Sequence, residues 1–122
     1  HLVLAKSGTG SLEACLHGVP TIVVYHLRGT ISSLGYHNIL SVPWIAAANL
    51  VAGRAVVPEF CFHHQSGWDD VAAQAIVLWS DTNARITAMQ GLAEVRRRLG
   101  APGATERVAA IVRSFLQTEA GR

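Results

Sequence analysis

An α/β domain with a parallel sheet and a helical C-terminal tail is the fold class that this 122-residue chain predicts, on three observations. Two apolar runs, His1 to Ala5 and Thr21 to Tyr25, bracket one helical pattern, the signature of a βαβ unit. A small-residue turn, Lys6-Ser7-Gly8-Thr9-Gly10-Ser11, sits where the first run meets the helix. Beyond residue 66, apolar residues recur at helical spacing almost to the end. Half of the residues are hydrophobic and only 15% are charged, which supports a packed core rather than disorder.

The elements follow in order. Residues 1–6 predict a buried strand. Ser11 to His17 predicts a helix, because Leu12, Cys15 and Leu16 fall at i, i+3 and i+4. Gly18 stands where a helix ends, and Pro20 prevents continuation. Thr21–Tyr25 is apolar or β-branched throughout, as in a strand covered on both faces. Residues 30–40 carry a weak helical pattern through Ile31 and Leu34, interrupted by Gly35. Val42 to Ala46 is expected as a short strand, Ala47 to Pro58 as a loop, and Pro58 to Phe62 as a short helix or turn.

Three helices then close the chain. The first opens on the capping-box form Ser66-Gly67-Trp68-Asp69 and runs to about Trp79, with Val71, Ala75 and Leu78 as its stripe. Asp81 caps the second, with Ile86, Met89, Ala93 and Leu99 on one side and an arginine run on the other. The third spans about Thr105 to Gln117. Its Val108, Ile111, Val112, Phe115 and Leu116 form a wide stripe that needs a surface: this domain's sheet, an absent domain or a second subunit.

Composition excludes several classes. Net charge is +2, and the late basic residues (Arg96, Arg97, Arg98, Arg107, Arg113) are not interleaved with aromatics, so no nucleic-acid partner is expected. Arg96–Arg98 read as a solvated face. Cys15 and Cys61 lie on apolar patterns without a partner motif and read as buried free thiols. Gly29 to Gly53 lacks charged residues but is too polar for a membrane span. His63-His64 with His37 or Cys61 makes a poor zinc set, because adjacent side chains diverge, and no metal is expected. The chain starts at His1 inside an apolar run, which predicts a C-terminal piece of a longer protein.

The small-residue turn carries the functional signal. A helix N-terminus presents unpaired N–H groups and roughly half a positive charge, and so binds phosphate. No Gly-Lys pair exists, which excludes a P-loop. Gly8 and Gly10 fit the dinucleotide fingerprint, but Glu13 takes the position that must be small. A carboxylate one turn into the helix suits ribose hydroxyls; a Glu favoured by the helix dipole is the plain alternative.

Ser7-Gly8-Thr9-Gly10-Ser11-Leu12-Glu13, then Gly18-Val19-Pro20, and the segment Asn49-Leu50-Val51-Ala52-Gly53-Arg54-Ala55-Val56-Val57-Pro58-Glu59 together resemble the donor-binding half of the lipid-A-disaccharide synthase family. That family carries S-G-T-x-x-L-E and N-L-x-A-G-R-x-x-V-P-E in this order. The chain departs from its pattern at Ala48, at Ala55 and over residues 60–66. The resemblance implies a GT-B glycosyltransferase, with residues 1–122 as the Rossmann-like C-terminal UDP-sugar domain, incomplete at its N-terminus. The N-terminal acceptor domain, with the general base, would be absent.

The implied reaction is inverting transfer of 2,3-diacylglucosamine from UDP to 2,3-diacylglucosamine 1-phosphate (lipid X), without a metal or other cofactor. It would take place at the cytoplasmic face of the bacterial inner membrane, in a protein peripheral to that surface and capable of homodimerising. Ser7, Gly8, Thr9 and Ser11 would then meet the pyrophosphate and Glu13 the ribose. Asn49, Gly53 and Arg54 would line the sugar-nucleotide cleft, and Glu59 would support that loop or touch the donor. Two other classes stay open: another GT-B enzyme using UDP-N-acetylglucosamine (a peptidoglycan glycosyltransferase or a 2-epimerase), and a noncatalytic nucleotide-binding module.

Overall fold

The structure, a computed structural model, describes residues 1–26, 43–62 and 67–119. Three parallel strands lie in the order β1 (Val3–Lys6), β2 (Thr21–His26), β3 (Glu59–Phe62). Val3 pairs with Thr21 and Val23 with Glu59, so Ala5, Val23 and Glu59 lie at one level. β2 is the central strand. Its Thr21, Ile22, Val23 and Val24 are all buried, as the unbroken β-branched run predicts. Each fully buried aliphatic side chain here stabilises the fold by about 1.5–3 kcal/mol.

Among the described residues, five helices cover the two faces or extend beyond them: α1 (Thr9–Leu16), α2 (Ala47–Ala52), α3 (Gly67–Ser80), α4 (Thr82–Leu99) and α5 (Ala104–Glu119). One core joins Val23 to Cys15 of α1, Ala48 and Ala52 of α2, and Leu92 and Val95 of α4. The opposite core joins Ile22 and Val24 to Val71 and Leu78 of α3. Alternation along β2 sends successive side chains to opposite layers, and the α/β/α arrangement follows.

Local chemistry sets the helix ends. α1 stops at Gly18, whose φ of 71° suits glycine and whose N–H donates to the Cys15 carbonyl (2.9 Å). Asp81 caps α4 by accepting from the Asn83 and Ala84 amides (2.8 and 3.2 Å), as its sequence position predicts. Burial pushes the Cys15 thiol up, with its hydrogen bonding with Thr21 acting the other way.

Three expectations are corrected. Pro43–Ala46 is irregular rather than a strand. Ala47–Ala52, expected as loop, is the short helix α2. Glu59–Phe62, expected as helix or turn, is β3. Pro58 lacks an N–H and so resembles a helix start. In the fold its carbonyl accepts from Val23 N–H (2.9 Å), which begins the β2–β3 ladder.

α4 buries a different face from the one predicted. Gly91, Leu92 and Val95 are buried, whereas Ile86, Met89 and Leu99 are about half exposed. A Cβ on Gly91 would come within 3.0 Å of Val56 Cβ, so the small residue lets α4 approach closely. The α5 stripe stays open: Val108, Ile111, Val112, Phe115 and Leu116 are all exposed. The weak helix over 30–40 and the residues Ser66, His37, His63 and His64 lie outside the described residues.

Candidate functional site

β1 delivers its chain to the carboxyl edge of the sheet, where ligands of open α/β sheets bind. Ser7 continues the ladder, its N–H reaching the Val24 carbonyl at 3.3 Å. Gly8 then turns the backbone into α1 with φ 149° and ψ −171°, a region essentially reserved for glycine. No side chain caps α1, and Gly8, Thr9 and Gly10 are exposed. Among the described residues the Thr9 and Gly10 amides have no acceptor. Among the described residues a Cβ on Gly10 would meet nothing within 4 Å. Glu13 stands exposed one turn further in.

Hydroxyl chemistry divides the predicted phosphate contacts. A hydroxyl has one proton to donate. Ser7 Oγ donates to the Ile45 carbonyl (3.2 Å), and Ser11 Oγ, buried, donates to the Gly8 carbonyl (2.7 Å). Neither can also donate to a phosphate oxygen without giving up that bond. Thr9 has a hydroxyl without a partner among the described residues. Among the described residues the free donors at this helix end therefore include the exposed Thr9 and Gly10 amides and the Thr9 hydroxyl.

The Asn49-to-Glu59 segment reaches this turn indirectly. Glu59 points its carboxylate at the start of α2 and accepts from Ile45 N–H (3.1 and 3.2 Å), Ala46 N–H (2.8 Å) and Asn49 Nδ2 (3.1 Å). Asn49 is fully buried. Its Nδ2 also donates to the Val57 carbonyl (2.9 Å), and its Oδ1 accepts from the Val56 and Val57 amides (2.7 and 2.9 Å). Every hydrogen-bonding position of that amide is therefore used inside the protein. Ile45 is the link: Glu59 holds its N–H and Ser7 holds its carbonyl.

Gly53 and Arg54 lie elsewhere. Gly53 ends α2 at φ 65°. The residues that follow lead into the amino end of β3, the opposite side of the sheet from the turn. Arg54 pairs with Glu94 of α4, which also takes Arg98 at 2.7 Å. The two guanidiniums, Arg54 foremost, hold the Glu94 carboxyl below the usual carboxylate range. Near Arg54 an apolar cavity of 420 Å³ opens between Val57, Leu78, Ala84 and Ala88.

The structure thus gathers Ser7, Gly8, Thr9, Ser11 and Glu13 at one helix end and ties Asn49 and Glu59 to them, but it does not bring Gly53 or Arg54 there. Sequence reasoning missed Ile45, which acts through its peptide and leaves no side-chain signal. It also missed Glu94, for which the i,i+4 spacing to Arg98 was the available clue. Among the described residues no group of His, Cys, Asp and Glu is placed to hold a metal, and no helix is long and apolar enough to cross a membrane.

The family model described as lipid-A-disaccharide synthetase matches residues 1–113. The chain is 36% identical to the lipid-A-disaccharide synthase of Solibacter usitatus, covering 95% of this chain and 30% of that protein. It is 39% identical to that of Acidobacterium capsulatum (96% and 29%) and 37% identical to that of Geobacter metallireducens (93% and 29%). The chain spans less than a third of the length of these relatives. No solved structure matches it. By the match over residues 1–113 and by its identity to these relatives, the chain belongs to the lipid-A-disaccharide synthase family.

Proposed function

We propose that this chain is the UDP-sugar-binding part of a lipid-A-disaccharide synthase, a glycosyltransferase of lipid A assembly. The observation that carries the proposal is the uncapped, exposed N-terminus of α1 at the carboxyl edge of a parallel sheet, with Glu13 one turn in. The diphosphate of a UDP donor lies across the Thr9 and Gly10 amides, and the Glu13 carboxylate accepts from the ribose hydroxyls.

The reaction is inverting transfer of 2,3-diacylglucosamine from UDP to lipid X. As the glycosidic bond to UDP breaks, negative charge grows on the departing diphosphate. Preoriented N–H groups and the helix dipole stabilise it at the moment it forms. The acceptor site and the base that deprotonates the acceptor hydroxyl belong to an N-terminal domain. The enzyme works peripherally at the cytoplasmic face of the inner membrane, as a homodimer, and needs no metal to hold the diphosphate. Arg54, paired with Glu94 away from the turn, takes no part in holding the diphosphate.

Calorimetric titration of UDP into the full-length protein tests this reading. Saturable binding is expected, weakened about tenfold or more by Glu13→Ala, the scale of a lost hydrogen-bonded charge. Absence of UDP binding, or a Glu13→Ala variant with unchanged affinity, overturns it. A preference for UDP-N-acetylglucosamine over the diacylated donor would assign the protein a different transfer reaction.

A further inference from the structure

We infer that Glu59 is a positioning residue for the diphosphate site: it acts through the Ile45 peptide and Ser7, and it does not touch the donor. This rests on the UDP-binding reading above. Three donor groups, the Ile45 and Ala46 amides and Asn49 Nδ2, engage both Glu59 oxygens through four contacts at 2.8–3.2 Å. The Ile45–Ala46 peptide between Glu59 and Ser7 is gripped on both sides: its N–H, on Ala46, donates to Glu59 at 2.8 Å, and its carbonyl, on Ile45, accepts from Ser7 at 3.2 Å. Ser7 immediately precedes Gly8, whose unusual backbone sets the direction in which α1 begins.

The order of connection is therefore carboxylate, peptide, hydroxyl, turn, and the last member aims the Thr9 and Gly10 amides. Asn49 fixes Glu59 in turn. It is anchored on the Val56 and Val57 backbone, three and two residues ahead of Glu59 in the chain. A carboxylate so occupied has little capacity left for a ligand, and its effect on binding is geometric. Displacement of a binding group by about 1 Å is enough to lose up to a hundredfold in such sites.

The test compares UDP with uridine on the full-length protein, using Glu59→Gln, Ser7→Ala and the double variant. Glu59→Gln puts an amide donor against the Ile45 and Ala46 donors and so releases the peptide. UDP affinity is expected to fall about tenfold or more in Glu59→Gln, while uridine affinity stays within about twofold of wild type, since uridine has no phosphates to meet the turn. The double variant should bind UDP no worse than Glu59→Gln alone, because both changes break one connection. In the ligand-free protein the Thr9 and Gly10 amide resonances should shift in Glu59→Gln.

Equal losses for uridine and UDP would make Glu59 a donor contact and overturn the inference. So would unchanged UDP affinity in a folded Glu59→Gln protein, or a double variant whose loss is the product of the single losses. Should Glu59→Gln not fold, Glu59→Asp, which keeps the charge but shortens the reach, carries the same comparison. Wild-type protein that fails to bind UDP removes the function proposed above, and this inference with it. Wild-type binding combined with any of the other adverse results removes the inference alone.

Discussion

Replacing Asn49 by alanine and by aspartate separates the two tasks of its side chain. Alanine removes four hydrogen bonds, to Val56 N–H, Val57 N–H, the Val57 carbonyl and Glu59. At about 1 kcal/mol apiece the local loss is about 4 kcal/mol, a large part of the roughly 5–15 kcal/mol that holds a domain together. Aspartate keeps both acceptor bonds to the 56–57 backbone but sets a second carboxylate 3.1 Å from that of Glu59. At an effective dielectric constant of about 20 the repulsion is about 5 kcal/mol. At pH 8 both variants should therefore be damaged to a similar degree. They part company on acidification.

In Asn49→Asp one carboxyl of the folded pair holds a proton that the unfolded chain has already released. The folded state then binds more protons than the unfolded state, so stability rises as pH falls from 8 towards 5, by at most about 1.4 kcal/mol per unit. Hydrogen exchange of the Val56 and Val57 amides, corrected for intrinsic rates, reads this directly. Alanine should cost about a thousandfold in protection at any pH. Aspartate should match it at pH 8 and recover at least tenfold by about pH 5. Protection in Asn49→Ala within about threefold of wild type, or pH-independent protection in Asn49→Asp, would refute the reasoning.

Three other outcomes are expected. Gly8→Ala meets no steric obstacle, yet it must adopt φ 149° and ψ −171°, at about 1–3 kcal/mol; its melting temperature and UDP affinity should both fall, and unchanged values would refute the strained-turn account. The Glu94 carboxyl is held low by Arg54 and Arg98, so its stabilisation is present above the ordinary glutamate value near 4.5 and is lost as pH falls through its folded-state value. Glu94→Gln should melt lower than wild type at pH 7 in low salt and match it at strongly acid pH. A gap that persists or widens in acid contradicts that assignment. In the proposed site the diphosphate meets backbone amides and a hydroxyl, so stripping divalent cations with EDTA should leave UDP affinity within about threefold, the scatter of such titrations; a loss beyond tenfold would count against the site.

The glycine turn at the start of α1 was legible because its glycines and its place between an apolar run and a helix follow from backbone geometry alone. Gly18 and Asp81 were legible for the same reason: each meets a local need at a helix end. β3 was not, because Pro58 and Glu59 mimic a helix start, and the tertiary role of Glu59 as a brace cannot be seen from its neighbours. The buried face of α4 was misread because Gly91 contributes by being small, which a count of large apolar residues ignores. Asn49 and Arg54 stand five residues apart in one motif. Nothing local says that one is sealed in the core and the other paired across to α4.

The grip on the Ile45 peptide also orders events in time. β1 and α1 are adjacent in the chain and can meet early. The Ser7 hydroxyl, however, finds its acceptor 38 residues downstream, and that acceptor's own amide waits for a carboxylate 14 residues further on. Closing such loops carries an entropic cost that local pairing does not. By this entropic ordering the turn at the start of α1 is completed only after β3 has docked, and a chain whose third strand is not yet seated has its glycines in place but its helix end unaimed.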